Sequence, residues 1–280
     1  MINKKKWISL VTVATLAAFT LTGCGGDTKK AEPAKPAPAA VRNSIKVGVT
    51  AGPHAEVMEV VKKVAAKDGL TIQIVEFNDY IQPNVALNQG DIDANSYQHR
   101  PFLDNQIRDR KYELTAIAQT IIFPMGIYSK KIKKLDELKP GSSVAVPNDP
   151  TNGGRALLLL EKNGLIKLNP KAGLNATAND IVENPRNLKI KELDAAQIPR
   201  ALDDVDAAAI NTNYAMVAGL VPKKDAIAIE DPKSPYANLI AVRTKDKDDP
   251  VFQKLIKAYQ SAEVKAFSDE HFKGSVVTAW

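Results

Sequence analysis

An α/β fold of two lobes with a ligand cleft between them is predicted by three features of the sequence. Short β-rich runs alternate with helical stretches from Ile45 onward. The alternation breaks at Pro124 and Gly126 and restarts at Ser143. Polar and aromatic residues recur where strand-like runs give way to helices, the place where α/β folds bind ligands. Composition permits such a core: 44% of the 280 residues are hydrophobic and 25% charged, with 17 prolines, 15 glycines and one cysteine. That excludes collagen-like, disordered and disulfide-stapled chains.

The chain opens with an address. Met1 to Trp7 carries Lys4, Lys5 and Lys6, and Ile8 to Leu21 follows without a charge or a proline, the profile of a signal peptide over residues 1–23. A spanning helix needs about 20 apolar residues, so this run is too short to stay in the bilayer. Leu21-Thr22-Gly23-Cys24 resembles a bacterial lipobox, which makes Cys24 the lipidated first residue after cleavage. The alternative, a buried free cysteine, has no core to sit in directly after the leader. A diacylglycerol plus a further acyl chain such as palmitate anchors stably where one chain does not, which places the protein on the extracytoplasmic face of a cell membrane. Residues 24–43 hold Pro33, Pro36 and Pro38 among Ala, Lys and Glu and read as a semi-extended tether.

Within the body, Ile45–Val49 is a strand and His54–Asp68 a helix whose Val57, Val60, Val61 and Val64 share one face. Leu70–Phe77 is a second strand, Pro83–Gln89 a helix stopped by Gly90, Asp93–Tyr97 a strand end and Pro101–Arg110 a helix. Glu113–Ser129 leans towards β. Ser143–Val146, Leu188–Leu193, Ala207–Ile210, Ala226–Ile229 and Leu239–Val242 read as strands. Asn152–Lys162, Ala195–Leu202 and Pro250–Phe267 read as helices. The strands are expected to pair in parallel α/β units. One passage between lobes is expected near Phe123–Tyr128 and the return near Asp231–Asn238, giving a first lobe of residues 44–124 plus 238–280 and a second of 125–237.

Nearly all of the formal charge of +6 comes from the leader and tether, because from Ser44 onward 31 basic residues face 30 acidic ones. No basic face is implied, and nucleic acid is not an expected partner. Phosphate-binding loops, dinucleotide loops and zinc-protease helices are absent from the sequence. Gly141-Ser142-Ser143-Val144-Ala145 ends in Ala where a nucleophile elbow needs Gly. His54, His99 and His271 are the only histidines, and the body has no cysteine, so neither a metal site nor a cofactor nor an enzyme is expected.

The polar and aromatic residues at strand ends are Phe77 and Tyr80, Tyr97 and His99, Asn152 and Arg155, Asn211 and Asn213, and Asn238. In Val146-Pro147-Asn148-Asp149-Pro150-Thr151-Asn152-Gly153-Gly154-Arg155 a strand leads through two prolines into a helix, whose free N–H groups and dipole suit an anion. Arg155 adds a fork suited to a carboxylate in bidentate geometry, although a capped helix with a solvated arginine fits the spacing equally. Taken singly, His99 fits a helix N-terminus, Tyr97 a core aromatic, Asn211 a cap and Asn238 a turn.

Five segments together are more specific. Phe77-Asn78-Asp79-Tyr80-Ile81-Gln82-Pro83-Asn84, Asp91-Ile92-Asp93-Ala94-Asn95-Ser96-Tyr97-Gln98-His99, Val146 to Asn152 with Arg155, Ile210-Asn211-Thr212-Asn213-Tyr214-Ala215 and Ser234-Pro235-Tyr236-Ala237-Asn238-Leu239-Ile240 resemble the signature segments of the NlpA-type methionine-binding lipoproteins, in order and behind a lipobox. These are substrate-binding subunits of a methionine ABC importer. The resemblance implies a two-lobed periplasmic-binding-protein fold that closes over L-methionine, D-methionine or a Met-containing dipeptide. The implied partners are a permease and its ATPase subunit. It also implies that Arg155 holds the α-carboxylate, that Asn211 and Asn238 bind the head group beside Asn152, and that Phe77, Tyr80, Tyr97 and His99 enclose the side chain. Tyr97 stands where many relatives have Phe, which adds a hydroxyl at the wall. A surface adhesion or structural lipoprotein of the same fold without a transport role is the alternative from another class.

Overall fold

The computed structural model describes residues 42–280, so the expected signal peptide, Cys24 and all but the end of the tether lie outside the described residues. In chain order the first elements are β1 (Ser44–Thr50), α1 (Pro53–Lys67), β2 (Thr71–Phe77), α2 (Gln82–Gln89), β3 (Ala94–Asn95), α3 (Arg100–Arg110) and β4 (Leu114–Ile122). Then come β5 (Gly126–Tyr128), β6 (Ser143–Pro147), α4 (Pro150–Lys162), β7 (Lys167–Leu168), β8 (Ile181–Glu183), β9 (Lys189–Leu193), β10 (Ala207–Ile210), α5 (Thr212–Val217), α6 (Pro222–Asp225) and β11 (Ala228–Ile229). The last are β12 (Ala237–Arg243), α7 (Pro250–Tyr259), α8 (Ala262–Phe272) and β13 (Val277–Thr278).

They build a six-stranded sheet in the order β13-β4-β12-β3-β1-β2 and a five-stranded sheet in the order β11-β5-β10-β6-β9, with β7 and β8 paired apart. The parallel units expected from the alternation are realised only in part. β1 runs parallel to β2 and β3, and β6 parallel to β9 and β10, but β12 is antiparallel to β3 and β4, and β5 to β10. The reason is topological: β12 arrives from the other sheet instead of through a crossover helix, so nothing forces it into the parallel direction.

Each sheet is covered on both faces. The first buries Val57, Met58 and Val61 of α1 with Phe252 and Leu255 of α7 on one side, and Leu87 of α2 with Leu103 of α3 on the other. The second packs Leu157 and Leu160 of α4 against Val144 and Val146, with Ile198, Leu202 and Ala215 on its opposite face.

The chain leaves the first sheet after Ile122, runs through Phe123-Pro124-Met125 and joins the second at Gly126; it returns between Ile229 and Ala237. The passage is shorter than the expected Phe123–Tyr128, since Gly126–Tyr128 is itself a strand of the second sheet. The two passages are fastened together: the Glu230 amide donates to the Met125 carbonyl (2.8 Å), and the Met125 amide donates to the Glu230 carboxylate (3.2 Å).

Two helical expectations change. Ala195–Leu202 becomes a 3₁₀ segment over Ile198–Asp203 that opens on a proline. Pro250–Phe267 divides into α7 and α8, because Ser261 turns extended and its hydroxyl accepts the Val264 amide (3.2 Å) as a fresh N-cap. Among the described residues no helix is long and apolar enough to cross a membrane, and no group of three or more His, Cys, Asp or Glu side chains could hold a metal ion.

Candidate functional site

Strand ends and helix starts from both sheets converge on one narrow cavity with about 20 Å³ of free space. Seven of the eight expected ligand-binding residues line it: Tyr80, Tyr97, His99, Asn152, Arg155, Asn211 and Asn238. Phe77 does not. It ends β2 on the face opposite Ile72, packs with the Leu87–Ile92 cluster and lies 3.0 Å from where a Cβ on Gly48 would stand. Strand alternation turns it towards α2 instead of past the strand end. The cavity also draws on His54, Gln98, Phe102, Phe123, Thr212 and Asn213. Of these, Asn213 was visible as a strand-end residue. His54 follows β1 in the first turn of α1, Gln98 and Thr212 adjoin expected residues, and Phe102 lies one helical turn beyond His99.

The polar groups are held in assigned orientations. His54 is buried at the start of α1, with Nδ1 2.7 Å from the Thr50 hydroxyl and Nε2 2.8 Å from Asn238 Nδ2. Because the amide nitrogen only donates, His54 Nε2 accepts and its proton sits on Nδ1. Asn238 Nδ2 reaches the Tyr97 carbonyl as well (3.3 Å), which leaves the Asn238 Oδ1 as the acceptor for the cavity. His99 takes the opposite tautomer: Nδ1 accepts the Phe102 amide (3.1 Å) at the N-cap of α3, so Nε2 donates to Asn152 Oδ1 (3.2 Å). Asn152 Oδ1 accepts from Asn211 Nδ2 as well (2.8 Å), joining α4 to the end of β10.

Burial pushes both imidazoles down to about 3, and for His99 the Arg155 charge adds to the effect. Both are therefore neutral at physiological pH. The unfolded chain takes up protons on these rings below about pH 6.5 while the folded chain does not, so their contribution is complete above pH 6.5 and declines as pH falls towards 3. Moving from pH 7 to pH 5 is expected to cost about 2 kcal/mol of stability per histidine. Melting curves at the two pH values check this: His54→Gln should remove its share of the decline, and an unchanged decline would contradict the assignment.

The α4 N-terminus is not the open anion site that its sequence suggested. The Asp149 carboxylate caps it, accepting from the Asn152 amide (2.9 Å), from Asn152 Nδ2 (2.9 and 3.1 Å) and from the Thr151 hydroxyl (3.0 Å). Burial raises the Asp149 carboxyl above the usual carboxylate range, against the opposing pull of these bonds. The paired glycines serve close approach. A methyl on Gly153 would stand 2.8 Å from the Pro147 carbonyl oxygen, and one on Gly154 would meet backbone at Leu174 and Ala176. Gly153→Ala is expected to destabilise by about 1–3 kcal/mol and to weaken ligand binding by displacing Asn152 and Arg155 together. Thermal melts paired with a ligand titration check it, and wild-type affinity in the variant would separate the helix start from the site.

Arg155 is buried, 4% exposed at its side chain, and is not the solvated arginine that spacing also allowed. Its Nε donates to both Glu230 carboxylate oxygens (3.0 and 3.1 Å), and Nη2 donates to the same carboxylate and to the Phe123 carbonyl (2.8 Å). The Tyr236 ring lies 4.4 Å from the guanidinium carbon, a cation–π contact. The Nε–Nη2 edge is thus occupied by protein, which corrects the bidentate grip expected of this side chain. Nη1 is the donor left for the cavity.

The remaining wall is aromatic. The Tyr80 hydroxyl donates to Asn213 Oδ1 (2.6 Å) across the two sheets, and its ring lies 4.9 Å from that of Tyr214. The Tyr97 hydroxyl, the departure noted in the sequence, donates to the Tyr80 carbonyl (2.9 Å) and so is spent on backbone. Below it, Gln98 exchanges hydrogen bonds with buried Asn84 (2.7 and 2.8 Å) and donates to Asn95 (2.9 Å), which fixes the loop carrying Tyr97 and His99. Among the described residues, two cavity-lining amide atoms, Asn211 Oδ1 and Asn213 Nδ2, are buried without a hydrogen-bond partner. A buried orphan acceptor and a buried orphan donor each cost stability unless a ligand satisfies them.

Known proteins share this arrangement's frame. The model of the NlpA lipoprotein family matches residues 45–280. The D-methionine-binding lipoprotein MetQ of Salmonella typhimurium is 53% identical over 270 residues, covering 95% of this chain and 96% of that protein. Its counterpart in Escherichia coli is 52% identical over the same length and shares. Among solved structures, a nutrient-binding protein from Burkholderia cenocepacia bound to methionine superposes with a TM-score of 0.83 at 60% identity, covering 84% of this chain and all (100%) of that one.

Proposed function

The chain belongs to the NlpA lipoprotein family and has the two-lobed α/β fold of periplasmic-type binding proteins, and from this membership we infer that it captures free methionine in the cavity between its sheets for import. The observation that carries the reading is the cavity's polar set: one guanidinium with Nη1 spare, the Asn238 and Asn211 acceptors, and an unpartnered Asn213 donor. A carboxylate accepting from Nη1 and from Asn213 Nδ2, with an ammonium donating to the amide oxygens, would satisfy all of these groups. A flexible thioether suits the aromatic wall of Tyr80, Tyr97 and Phe102, where each sulfur–aromatic contact contributes ~0.3–1.5 kcal/mol.

In this reading residues 44–124 with 238–280 form one lobe and 125–237 the other, and closure about the fastened passages buries the ligand from both sides. The closed form is what a permease recognises, and an ATPase subunit of that permease supplies the energy. Lipid on Cys24 holds the protein at the extracytoplasmic face of the membrane, with the tether giving it reach. Mass spectrometry of the small molecule released when the purified protein is denatured tests the function. Methionine is the expected mass. A protein that releases nothing and, once refolded, shows no melting shift with L- or D-methionine would overturn the reading, since ligand at 100 times its Kd should add ~2.7 kcal/mol.

A further inference from the structure

Glu230 does not line the cavity, yet its carboxylate takes three hydrogen bonds from Arg155 and one from the Met125 amide, at the point where the two passages between the sheets lie together. Its side chain is 11% exposed and that of Arg155 4%. A second carboxylate, Asp149, lies beneath Asn152 on the same wall. The cavity's one guanidinium is therefore paired with one carboxylate, with a second on the same wall, and carries no surplus positive charge, while both imidazoles that border it are neutral.

We propose that Glu230 is a specificity-determining positioning residue: by pairing with Arg155 along Nε and Nη2 it leaves a single donor for the ligand carboxylate and cancels the guanidinium's charge, so that the site accepts a zwitterion and rejects an acid lacking the ammonium group. The physical reason is long-range. A bare carboxylate drawn to Nη1 also approaches Glu230 across the guanidinium and Asp149 along the wall, and only an ammonium group on the same ligand offsets that repulsion. A merely structural ion pair, fastening the two passages, would support all ligands alike. This inference rests on the reading of the cavity as a free amino-acid site.

The test is calorimetric titration of wild type, Glu230→Gln and Glu230→Asp with methionine and with 4-(methylthio)butanoate, its deaminated analogue. Wild type is expected to prefer methionine by at least a hundredfold, Glu230→Asp to keep that preference, and Glu230→Gln to narrow it at least tenfold. Binding of the acid to wild type within tenfold of methionine would overturn the proposal without any variant, and so keep it testable if Glu230→Gln fails to fold. An equal loss for both ligands in Glu230→Gln, with the ratio held, would reduce Glu230 to a structural role and overturn it. So would a ratio narrowed as far in Glu230→Asp. Failure of wild type to bind methionine at all would instead sink the amino-acid reading, and this proposal with it.

Discussion

Arg155→Ala is expected to weaken methionine binding about a thousandfold, ~4 kcal/mol, and separately to destabilise the fold by roughly 3 kcal/mol. The affinity term is the loss of the cavity's one cationic donor. The stability term has a different origin: removing the guanidinium strands Glu230, whose carboxylate would keep only the Met125 amide, and deprives the Phe123 carbonyl of its donor. The two effects separate in the Arg155→Ala/Glu230→Ala double variant, which should recover part of the melting temperature because no buried charge is left alone, yet recover none of the affinity. Melts and titrations of both variants check this. A double variant no more stable than Arg155→Ala would mean that the ion pair does not carry the stability assigned to it.

Asn238→Ala should lower affinity about a hundredfold, ~2.7 kcal/mol, by removing an acceptor fixed towards the cavity. The fixing is the point. Asn238 Nδ2 is held by His54 Nε2 and the Tyr97 carbonyl, and His54 is in turn held by Thr50, so the amide cannot turn its nitrogen inward without losing both acceptors. Truncation also leaves His54 Nε2 without its donor, a cost of about 1–3 kcal/mol in stability. His54→Ala should therefore weaken binding too, though less, since Asn238 remains but is free to flip. A His54→Ala protein with unaltered affinity would show that the relay from Thr50 does not orient the amide.

Much of this was legible in the residues because strand ends have a local signature. Val144-Ala145-Val146 followed by prolines, a cap and Gly-Gly marks the start of α4, and Arg155, which that spacing allowed equally to be solvated, lines the cavity. Tyr97, His99, Asn211 and Asn238 stand at strand ends as well and line the same cavity, although each taken singly fits a structural role. Phe77 lies outside the cavity, because proximity to a strand end does not determine which face a side chain takes. His54, in the first turn of the helix after β1, joins the site through a contact with Asn238 that depends on a residue 184 positions away.

Glu230 left no trace in the pattern: it sits in an irregular return segment, 75 residues from Arg155, and only the pairing of the two passages brings it there. The mixed strand directions were hidden for the same reason, since β12 takes its direction from where the chain returns and not from its own Ala237–Arg243 sequence.

Equilibrium dialysis of labelled methionine against protein stripped by denaturation and refolded bears most directly on the site. One methionine per chain, saturable in wild type and lost in Arg155→Ala at the same concentrations, is the expected result. Saturable uptake that is equal in the two proteins would place the amino acid elsewhere in the molecule and contradict the account.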